Sequence, residues 1–324
     1  MQGVVAGSPL LHQRFPELSD SLPHVRLGSP SPVRMLEGLG VWLKDDGRYG
    51  DGPWGGNKVR KLEWILPDAR RRGRGTILTV GALGTNHGLA TALYGREHGL
   101  RVALALVDQP LDDHVRAQLE RLRQSGATLH RTRGKWRTVA VAPWLLARHR
   151  MPYVLPAGGS SPVGTLGYVE AGLELGAQVA AGELPEPGCV VVAVGSGGTA
   201  AGLALGLELA GLRSRVLGVV VNDLLRLDPS TLGRLSRRAA RLLRRRGARL
   251  AAVAPGVEVT RDWLGAGYGH PTADSERALG LAREREGLEL DPVYTAKAMA
   301  GALALVERGA RGPVLFVQTH GARG

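Results

Sequence analysis

Lysine is rare in this sequence, and one lysine stands where an amine could do covalent chemistry. Of the 42 basic residues only five are lysines, and arginine stays protonated, so any Schiff-base chemistry must come from these five. Lys58 follows two glycines in the run GGNKVRKLE, residues 55–63, at the predicted start of a helix. A helix N-terminus lowers the pKa of a nearby amine, which activates it as a nucleophile. The alternative, which the local pattern favours when taken alone, is that Lys58 and Lys61 are solvated first-turn residues.

Two glycine-containing segments each follow a predicted strand and open a predicted helix, where free backbone N–H groups bind anions. In the first, GALGTNH at residues 81–87, Thr85 and Asn86 add polar groups suited to a carboxylate. The alternative there is an ordinary helix cap. The second, GSGGT at residues 195–199, exposes consecutive N–H groups and two hydroxyls, which favours phosphate. It lacks the lysine of a P-loop and the full dinucleotide spacing, so a tight strand–helix turn is its alternative.

Two tyrosines near the C-terminus are further candidates in a chain with only 4% aromatic residues. Tyr268 lies in GYG, and Tyr294 lies in the run DPVYTAK at residues 291–297. A phenol can stack on a ring or transfer a proton. Packing between two domains is an equally good interpretation of both tyrosines.

Short apolar, β-branched runs alternate with longer helical patterns, which predicts parallel sheets covered by helices on both faces. The first fifty residues are predicted to be irregular, and no internal repeat is found. The predicted strands are 76–81, 102–107, 153–156, 190–195, 216–221 and 314–319. The clearest predicted helices are 86–98, 112–124, 164–180 and 199–209.

The charge of the chain is concentrated in one segment. Residues 226–249 contain nine arginines and one acid, Asp228, of a net charge of +13 for the whole chain. Leu232, Leu235 and Leu242 recur there at helical spacing, which predicts an amphipathic helix. The arginines are then favoured as its solvent-exposed face over a surface for an anionic partner. The segment has no aromatic residue to stack on bases, so a nucleic-acid partner is disfavoured.

Compartment and membrane signals are few. No apolar run is long enough for a transmembrane helix, and the N-terminus lacks the pattern of a secretory signal. The single cysteine, Cys189, lies in an apolar run typical of a buried strand. These features favour a cytoplasmic protein without disulfides and without contact with a membrane.

Taken together and in this order, the motifs resemble the 1-aminocyclopropane-1-carboxylate (ACC) deaminase / D-cysteine desulfhydrase family. The most specific matches are GGNKVRKLE at residues 55–63 and LDPVYTAKAMAG at residues 290–301, and PAGGS at residues 156–160 matches the desulfhydrase branch. The resemblance covers residues 27–321. It implies pyridoxal 5′-phosphate (PLP) as cofactor, a small amino acid as substrate, no metal, and fold type II, the tryptophan-synthase-β-like fold.

The resemblance also implies roles for the residues of the first two motifs. Lys58 resembles the lysine that binds the cofactor covalently and later moves the Cα proton. Asn86 resembles the residue bonded to the cofactor's phenolic oxygen. Thr85, with the backbone N–H groups of Asn86 and His87, resembles the loop that binds the substrate carboxylate.

Later motifs resemble the remainder of the family's site. Tyr294 resembles the tyrosine that stacks on the cofactor ring, Tyr268 resembles a second active-site tyrosine, and Thr319 resembles the hydroxyl that faces the pyridine nitrogen. The phosphate cup is implied by residues 195–199, which are Gly195, Ser196, Gly197, Gly198 and Thr199.

Departures from the family pattern bear on the substrate. Thr85 stands where serine is usual, Gly84 replaces a glutamine, and relatives continue beyond Gly324. ACC deaminases carry an acid where Thr295 stands. Neutral Thr295 and Thr319 would leave the pyridine nitrogen unprotonated, which favours β-elimination over ring opening.

Three functions are therefore expected, in decreasing order of preference. The first is PLP-dependent β-elimination on D-cysteine or a similar β-substituted amino acid. The second is an ACC deaminase-type or other PLP-dependent deaminase or isomerase. The third is a PLP- or anion-binding protein without catalysis. The resemblance implies a homodimer, with a large domain of residues 1–61 and 165–324 and a small inserted domain of residues 62–164.

Overall fold

The structure is a computed structural model that describes residues 7–111, 113–253 and 255–321. Within these residues, ten strands form two sheets. The strands are β1 (Val33–Leu36), β2 (Val41–Asp45), β3 (Thr76–Ala82), β4 (Arg101–Val107), β5 (Thr128–Arg133), β6 (Tyr153–Leu155), β7 (Cys189–Val194), β8 (Arg215–Val220), β9 (Val257–Thr260) and β10 (Val314–Gln318).

Ten α-helices connect or cover these strands in the same part of the chain. They are α1 (Leu10–Arg14), α2 (Asn57–Arg71), α3 (Asn86–Glu97), α4 (Asp113–Gln124), α5 (Lys135–Arg148), α6 (Pro162–Ala180), α7 (Gly198–Ala210), α8 (Pro229–Arg245), α9 (Ala273–Glu286) and α10 (Thr295–Glu307).

The larger sheet has the order β1-β2-β10-β7-β8-β9. Strand β1 pairs with β2 antiparallel, and every other neighbouring pair is parallel. Strands β7 and β10 are buried along their whole length. Their apolar runs are uninterrupted because both faces of a parallel sheet are covered by helices.

The smaller sheet has the order β5-β4-β3-β6 and is parallel throughout. One apolar cluster extends from this sheet to the helices of the larger one, and it includes Leu104 of β4, Leu166 of α6, Leu205 of α7 and Leu243 of α8. The turns that follow β3 and β7 are therefore fixed to a shared core. An α/β fold with parallel-rich sheets flanked by helices is confirmed.

The predicted strands and helices are confirmed with shifts of one or two residues at their ends. Asp112, the predicted start of the fourth helix, lies outside the described residues, and α4 begins at Asp113. None of the helices in the described ranges is long and apolar enough to cross a membrane.

The prediction that the first fifty residues are irregular is wrong. Strand β2 pairs with β10 and so extends the larger sheet, and β1 adds its edge. Lys44 lies in β2 with no exposed surface, because its amine bonds the carboxylate of Glu174. A buried cation of this kind interrupts the apolar pattern that predicts a strand.

The arginine-rich segment forms the predicted amphipathic helix, α8. Leu232, Ala239 and Leu243 are buried, and Ala239 and Leu243 belong to the apolar cluster shared by both sheets. The arginines at positions 234, 237, 238, 241, 244 and 245 are exposed.

Candidate active site

Lys58 lies in the first turn of α2, two residues after a glycine that the backbone requires. Gly56 has φ of 91°, and a Cβ at this position would lie 2.8 Å from the carbonyl oxygen of Thr319. The N–H of Asn57 donates to that same oxygen over 3.1 Å. The start of α2 is thus held against the chain that leaves β10, which fixes the backbone that carries Lys58.

The GSGGT segment is the turn from β7 into α7, as predicted. Gly197 has φ of 89°, and α7 begins at Gly198. A Cβ on Gly195 would lie 2.8 Å from Cε1 of Tyr294, and one on Gly198 would lie 3.1 Å from Nζ of Lys61. Larger residues would fill the space around this turn, so its glycines keep the backbone N–H groups accessible.

Side-chain hydrogen bonds join the lysine segment to the 195–199 turn. The amide of Asn57 donates to the hydroxyl of Thr199 over 3.3 Å. The hydroxyls of Ser160 and Ser196 are 2.8 Å apart, and the Ser160 hydroxyl accepts from the N–H of Gly198 over 3.0 Å. Lys58 and the anion-binding turn therefore belong to one site.

Desolvation lowers the pKa of both lysine amines, Lys58 being half-buried and Lys61 buried. The pKa of Lys58 is lowered to about 8 by desolvation, against the opposing effect of the Asp291 carboxylate. Among the described residues, no hydrogen bond or ion pair engages the Lys58 amine. The pKa of Lys61 is held well below its usual value by desolvation and by the charge of Lys58. Lys61 is 1% exposed and donates to the carbonyl of Gly158 over 3.0 Å.

His87 lies beside these lysines with both ring nitrogens buried and, among the described residues, unpartnered. Desolvation and the charges of Lys58 and Lys61 hold its pKa well below the usual value. A Cβ on Gly159 would lie 3.1 Å from Cε1 of His87, which shows how closely the 158–160 segment approaches. Unsatisfied buried nitrogens beside an anion-binding turn suit a phosphorylated ligand.

Thr85 and Asn86 are at the predicted strand–helix turn between β3 and α3. The Thr85 hydroxyl accepts from the N–H of Gly88 over 3.1 Å and so caps α3, the alternative weighed from sequence. A Cβ on Gly81 would lie 2.5 Å from that hydroxyl, so Gly81 makes room for the β-branched Thr85. The Asn86 amide oxygen accepts a hydrogen bond from the Gln118 amide.

Tyr268 and Tyr294 contact each other, and Tyr294 lies beside Gly195, at the start of the 195–199 turn. Their hydroxyl oxygens are 2.6 Å apart, and their rings cross edge to face. Desolvation raises the pKa of both phenols, so both stay protonated at neutral pH. Each phenol carries one O–H proton, and the hydrogen bond between the two hydroxyls uses only one of them. The other proton is therefore available to donate to a further group.

The structure adds residues that sequence reasoning had not assigned. Asp291 accepts from the N–H groups of Tyr294 and Thr295 and from the Thr295 hydroxyl, which orients the start of α10. Asn222 donates to the carbonyl of Gly195 over 2.9 Å. Lys61, for which a solvated first-turn position was the alternative, is instead buried. Ser160 lies in the PAGGS motif, whose residues carry no assigned role in the sequence analysis.

A family model described as "Pyridoxal-phosphate dependent enzyme" matches residues 26–319. This chain belongs to that family. It is 34% identical to a D-cysteine desulfhydrase of Klebsiella pneumoniae, with 95% of each chain covered. It is 35% identical to a putative 1-aminocyclopropane-1-carboxylate deaminase of Pyrococcus horikoshii, over 97% of this chain and 96% of the relative.

Solved structures agree with this family and with fold type II. A structure described as an ACC deaminase homologue superposes with a TM-score of 0.80 at 32% identity, covering 97% of this chain and 96% of that one. The processed form of threonine deaminase isoform 2 from Solanum lycopersicum gives a TM-score of 0.65 at 17% identity, covering 100% of this chain and 91% of that one. The second likeness shows the fold alone. The resemblance found from the motifs is confirmed.

The residues of this site fit the cofactor of the family. PLP carries a phosphate and an aldehyde. The 195–199 turn has the glycines and the helix N-terminus that bind a phosphate, and Lys58 offers an amine of lowered pKa. Lys61 and His87 are buried beside the half-buried Lys58, and an anion compensates such a group of basic side chains better than water does. The chain is thus a PLP-dependent enzyme of the same family as the desulfhydrases and deaminases.

Proposed function

We propose that this enzyme catalyses β-elimination on D-cysteine or a similar small β-substituted amino acid, with one water consumed and pyruvate, ammonia and the protonated leaving group released. The observation that carries the proposal is the Lys58 amine, of pKa about 8, in one site with the 195–199 turn. When bound, PLP supplies an electron sink for the charge that develops at the substrate Cα.

The proposed roles of this chain's residues follow from where they lie. Lys58 would hold the cofactor, and its amine would accept the Cα proton, since its pKa near 8 suits proton transfer at neutral pH. Residues 195–199 bind the phosphate at the start of α7, and Lys61 lies beside it. The α3 N-terminus, with Thr85, Asn86 and His87, binds the substrate carboxylate. Asn86 is also proposed to bond the phenolic oxygen of the cofactor.

Tyr294 and Tyr268 are proposed to act as a pair. Tyr294 contacts Gly195 at the turn and is placed to stack on the cofactor ring, and the hydrogen bond to Tyr268 fixes its hydroxyl. One of the two phenols then donates a proton to the departing group at Cβ. Thr319 is proposed to face the pyridine nitrogen, from the end of β10 that contacts Gly56 and Asn57.

The elimination is preferred to ring opening because the residues assigned to the pyridine nitrogen are neutral. The Thr295 hydroxyl donates to the Asp291 carboxylate over 2.7 Å, so it has no proton left to give the ring. A neutral ring nitrogen is a weaker electron sink, which suits expulsion of a good leaving group from Cβ. ACC deaminase-type ring opening remains the second candidate, because relatives with both names match at nearly equal identity.

A substrate panel tests the proposal. D- and L-cysteine, β-chloroalanine, serine and ACC are each incubated with the PLP-loaded enzyme, and keto acid, sulfide and ammonia are measured. D-Cysteine or β-chloroalanine is expected to give pyruvate, with Lys58→Ala reducing the rate by at least about 10³-fold. The third expectation, a protein without catalysis, would be supported if no compound gave a keto acid. Release of 2-oxobutanoate from ACC alone would favour the second candidate.

Three further features belong to the same proposal. We propose a homodimer, by analogy with the family, and a cytoplasmic enzyme, in line with the buried Cys189. We also propose the division into residues 1–61 with 165–324 and residues 62–164. It is supported by the smaller sheet, whose strands all lie between residues 76 and 155. Size-exclusion chromatography with light scattering tests the dimer.

A further inference from the structure

A second cleft adjoins the cofactor site on the arginine-rich side of the molecule. It has a volume of about 640 Å³, within the range of small-molecule sites. Its walls come from the segment that directly follows α2, from β6 with residues 156–163, and from α8. The cleft reaches Ser160, whose hydroxyl also bonds the 195–199 turn.

Five arginines line this cleft, and none of the described residues that line it carries a carboxylate. Arg238, Arg241 and Arg245 come from α8 at spacings of three and four, which place them on one face of the helix. Arg72 and Arg74 come from the other wall. The cleft is therefore a concentration of positive charge that faces inward from two sides.

The α8 arginines are available to a ligand. Among the residues that the structure describes, no carboxylate lies within 4.0 Å of the Arg238, Arg241 or Arg245 side chains. On the opposite wall, Arg72 pairs with the Asp68 carboxylate over 2.8 Å, and Arg74 donates to a backbone carbonyl. A ligand would thus find three guanidinium groups open to it on one side and two anchored ones on the other.

The remaining walls also suit an anion with some apolar surface. The cleft includes Ser161, the N-cap of the 19-residue helix α6, whose N-terminus adds a partial positive charge. The Tyr153 ring lies below the Arg72 guanidinium at 5.5 Å and forms part of the floor. Tyr153 is largely buried, so it offers no platform on which successive nucleic-acid bases could stack.

We propose that this cleft binds a small polyanion with two or more linked phosphate groups, such as diphosphate or a nucleoside polyphosphate. Guanidinium groups bind phosphate oxygens bidentately, and arginines on opposite walls can each engage a different phosphate of one ligand. The proposal does not depend on the reaction catalysed at Lys58.

Calorimetric titration of the PLP-loaded protein with inorganic pyrophosphate, without divalent metal, tests the proposal. PLP already occupies the phosphate turn, so the probe reports on the second cleft. One saturable site per chain is expected, with affinity at least about tenfold higher than for sulfate. Arg238→Gln/Arg241→Gln is expected to weaken binding by at least about tenfold.

The matched control is Arg234→Gln/Arg237→Gln, which removes the same charge from the same helix at residues that do not line the cleft. It is expected to change the affinity by less than about threefold. Both variants are checked for PLP content and unfolding temperature. Tripolyphosphate and ATP as further probes distinguish the two ligand sources, because tighter binding of ATP points to a nucleotide.

Several results would overturn the proposal. Pyrophosphate that gives no saturable heat would show that the cleft is not a site. Equal weakening by the two variant pairs would show only a general attraction to the basic helix. Binding of RNA in the absence of any pyrophosphate binding would indicate a polymer surface instead of a small-molecule site.

Discussion

At the scale of single residues, the reactivity of Lys58 depends on its neighbours. Desolvation lowers the pKa of its amine, and burial also lowers the pKa values of the nearby Lys61 and His87. Asp291 acts in the opposite direction, and with a pKa of about 8 most of the Lys58 population stays protonated at neutral pH. Such a pKa suits the two roles proposed for Lys58, attack on the cofactor as a free base and transfer of the Cα proton.

The pKa of Lys58 predicts how covalent attachment of PLP depends on pH. The attacking amine must be unprotonated, so the yield of attachment should rise with pH through about 8 and level off above it. An ordinary lysine would give a midpoint near 10.5. Apoprotein is incubated briefly with PLP from about pH 6 to about pH 10 and reduced with borohydride, and the modified fraction is measured by mass spectrometry.

The control for this experiment is Lys58→Arg, which keeps the positive charge but cannot attach the cofactor. It should show no product trapped at residue 58 at any pH in the range. A wild-type midpoint near 10.5, or equal trapping in the variant, would mean that Lys58 is not the reacting amine.

At the scale of elements, a buried polar network holds α2 in place. Arg60, two residues after Lys58, bonds the Asp46 carboxylate at 2.9 and 2.8 Å and the Glu174 carboxylate at 2.9 and 3.1 Å. Asp46 follows β2, and Glu174 lies in α6. Burial acts to raise the pKa of both carboxyls, but Arg60 and Lys44 hold both pKa values below normal. The network therefore links three elements beneath the site.

Removing Arg60 from this network should be costly. Arg60→Met keeps much of the side-chain volume but leaves the buried Asp46 carboxylate without its ion pair and Glu174 with Lys44 alone, which typically lowers the free energy of unfolding by roughly 3–5 kcal/mol. The carboxyl pKa values are depressed in the folded state, so the network stabilises above the unfolded pKa values and this stability is lost as pH falls below them. Urea denaturation should accordingly show a large deficit at about pH 7 and a smaller one below about pH 4.

A surface ion pair serves as the comparison. Arg215 and Glu258 are about half exposed and 2.8 Å apart. Arg215→Met should lower the free energy of unfolding by less than about 1 kcal/mol, because solvent screens exposed pairs. A similarly small loss for Arg60→Met would show that the buried network does not hold α2.

The same elements show what could be predicted from the sequence. Some signals are local, and the structure confirms the elements that they predict. They are the apolar runs of β7 and β10 and the glycines of the 195–199 turn. Strand β2 was missed because its Lys44 is satisfied by Glu174, 130 residues away. The burial of Lys61 was missed for the same reason, since its partner carbonyl belongs to Gly158. Local patterns identify reactive residues, but long-range partners decide which polar residues are buried.

At the scale of the whole molecule, the site is assembled from segments far apart in sequence. The 81–87 turn follows β3 of the smaller sheet, and the 195–199 turn follows β7 of the larger sheet. Lys58 lies in a third segment, the first turn of α2. Asn57 contacts both Thr199 and the backbone of Thr319. A ligand bound to several of these segments at once should stabilise the folded chain as a unit.

PLP is therefore expected to raise the unfolding temperature, and its phosphate should account for much of the rise. At about 100 times its dissociation constant, PLP should add about 2.7 kcal/mol, which corresponds to roughly 4 °C for a chain of this size. Pyridoxal at the same concentration can still react with Lys58, but it has no phosphate for the 195–199 turn, so its shift should be smaller. Lys58→Ala with PLP should keep part of the shift, because the phosphate contacts remain. Scanning calorimetry of the apoprotein with each compound measures these differences. Equal shifts for pyridoxal and PLP would show that the 195–199 turn does not bind the cofactor phosphate.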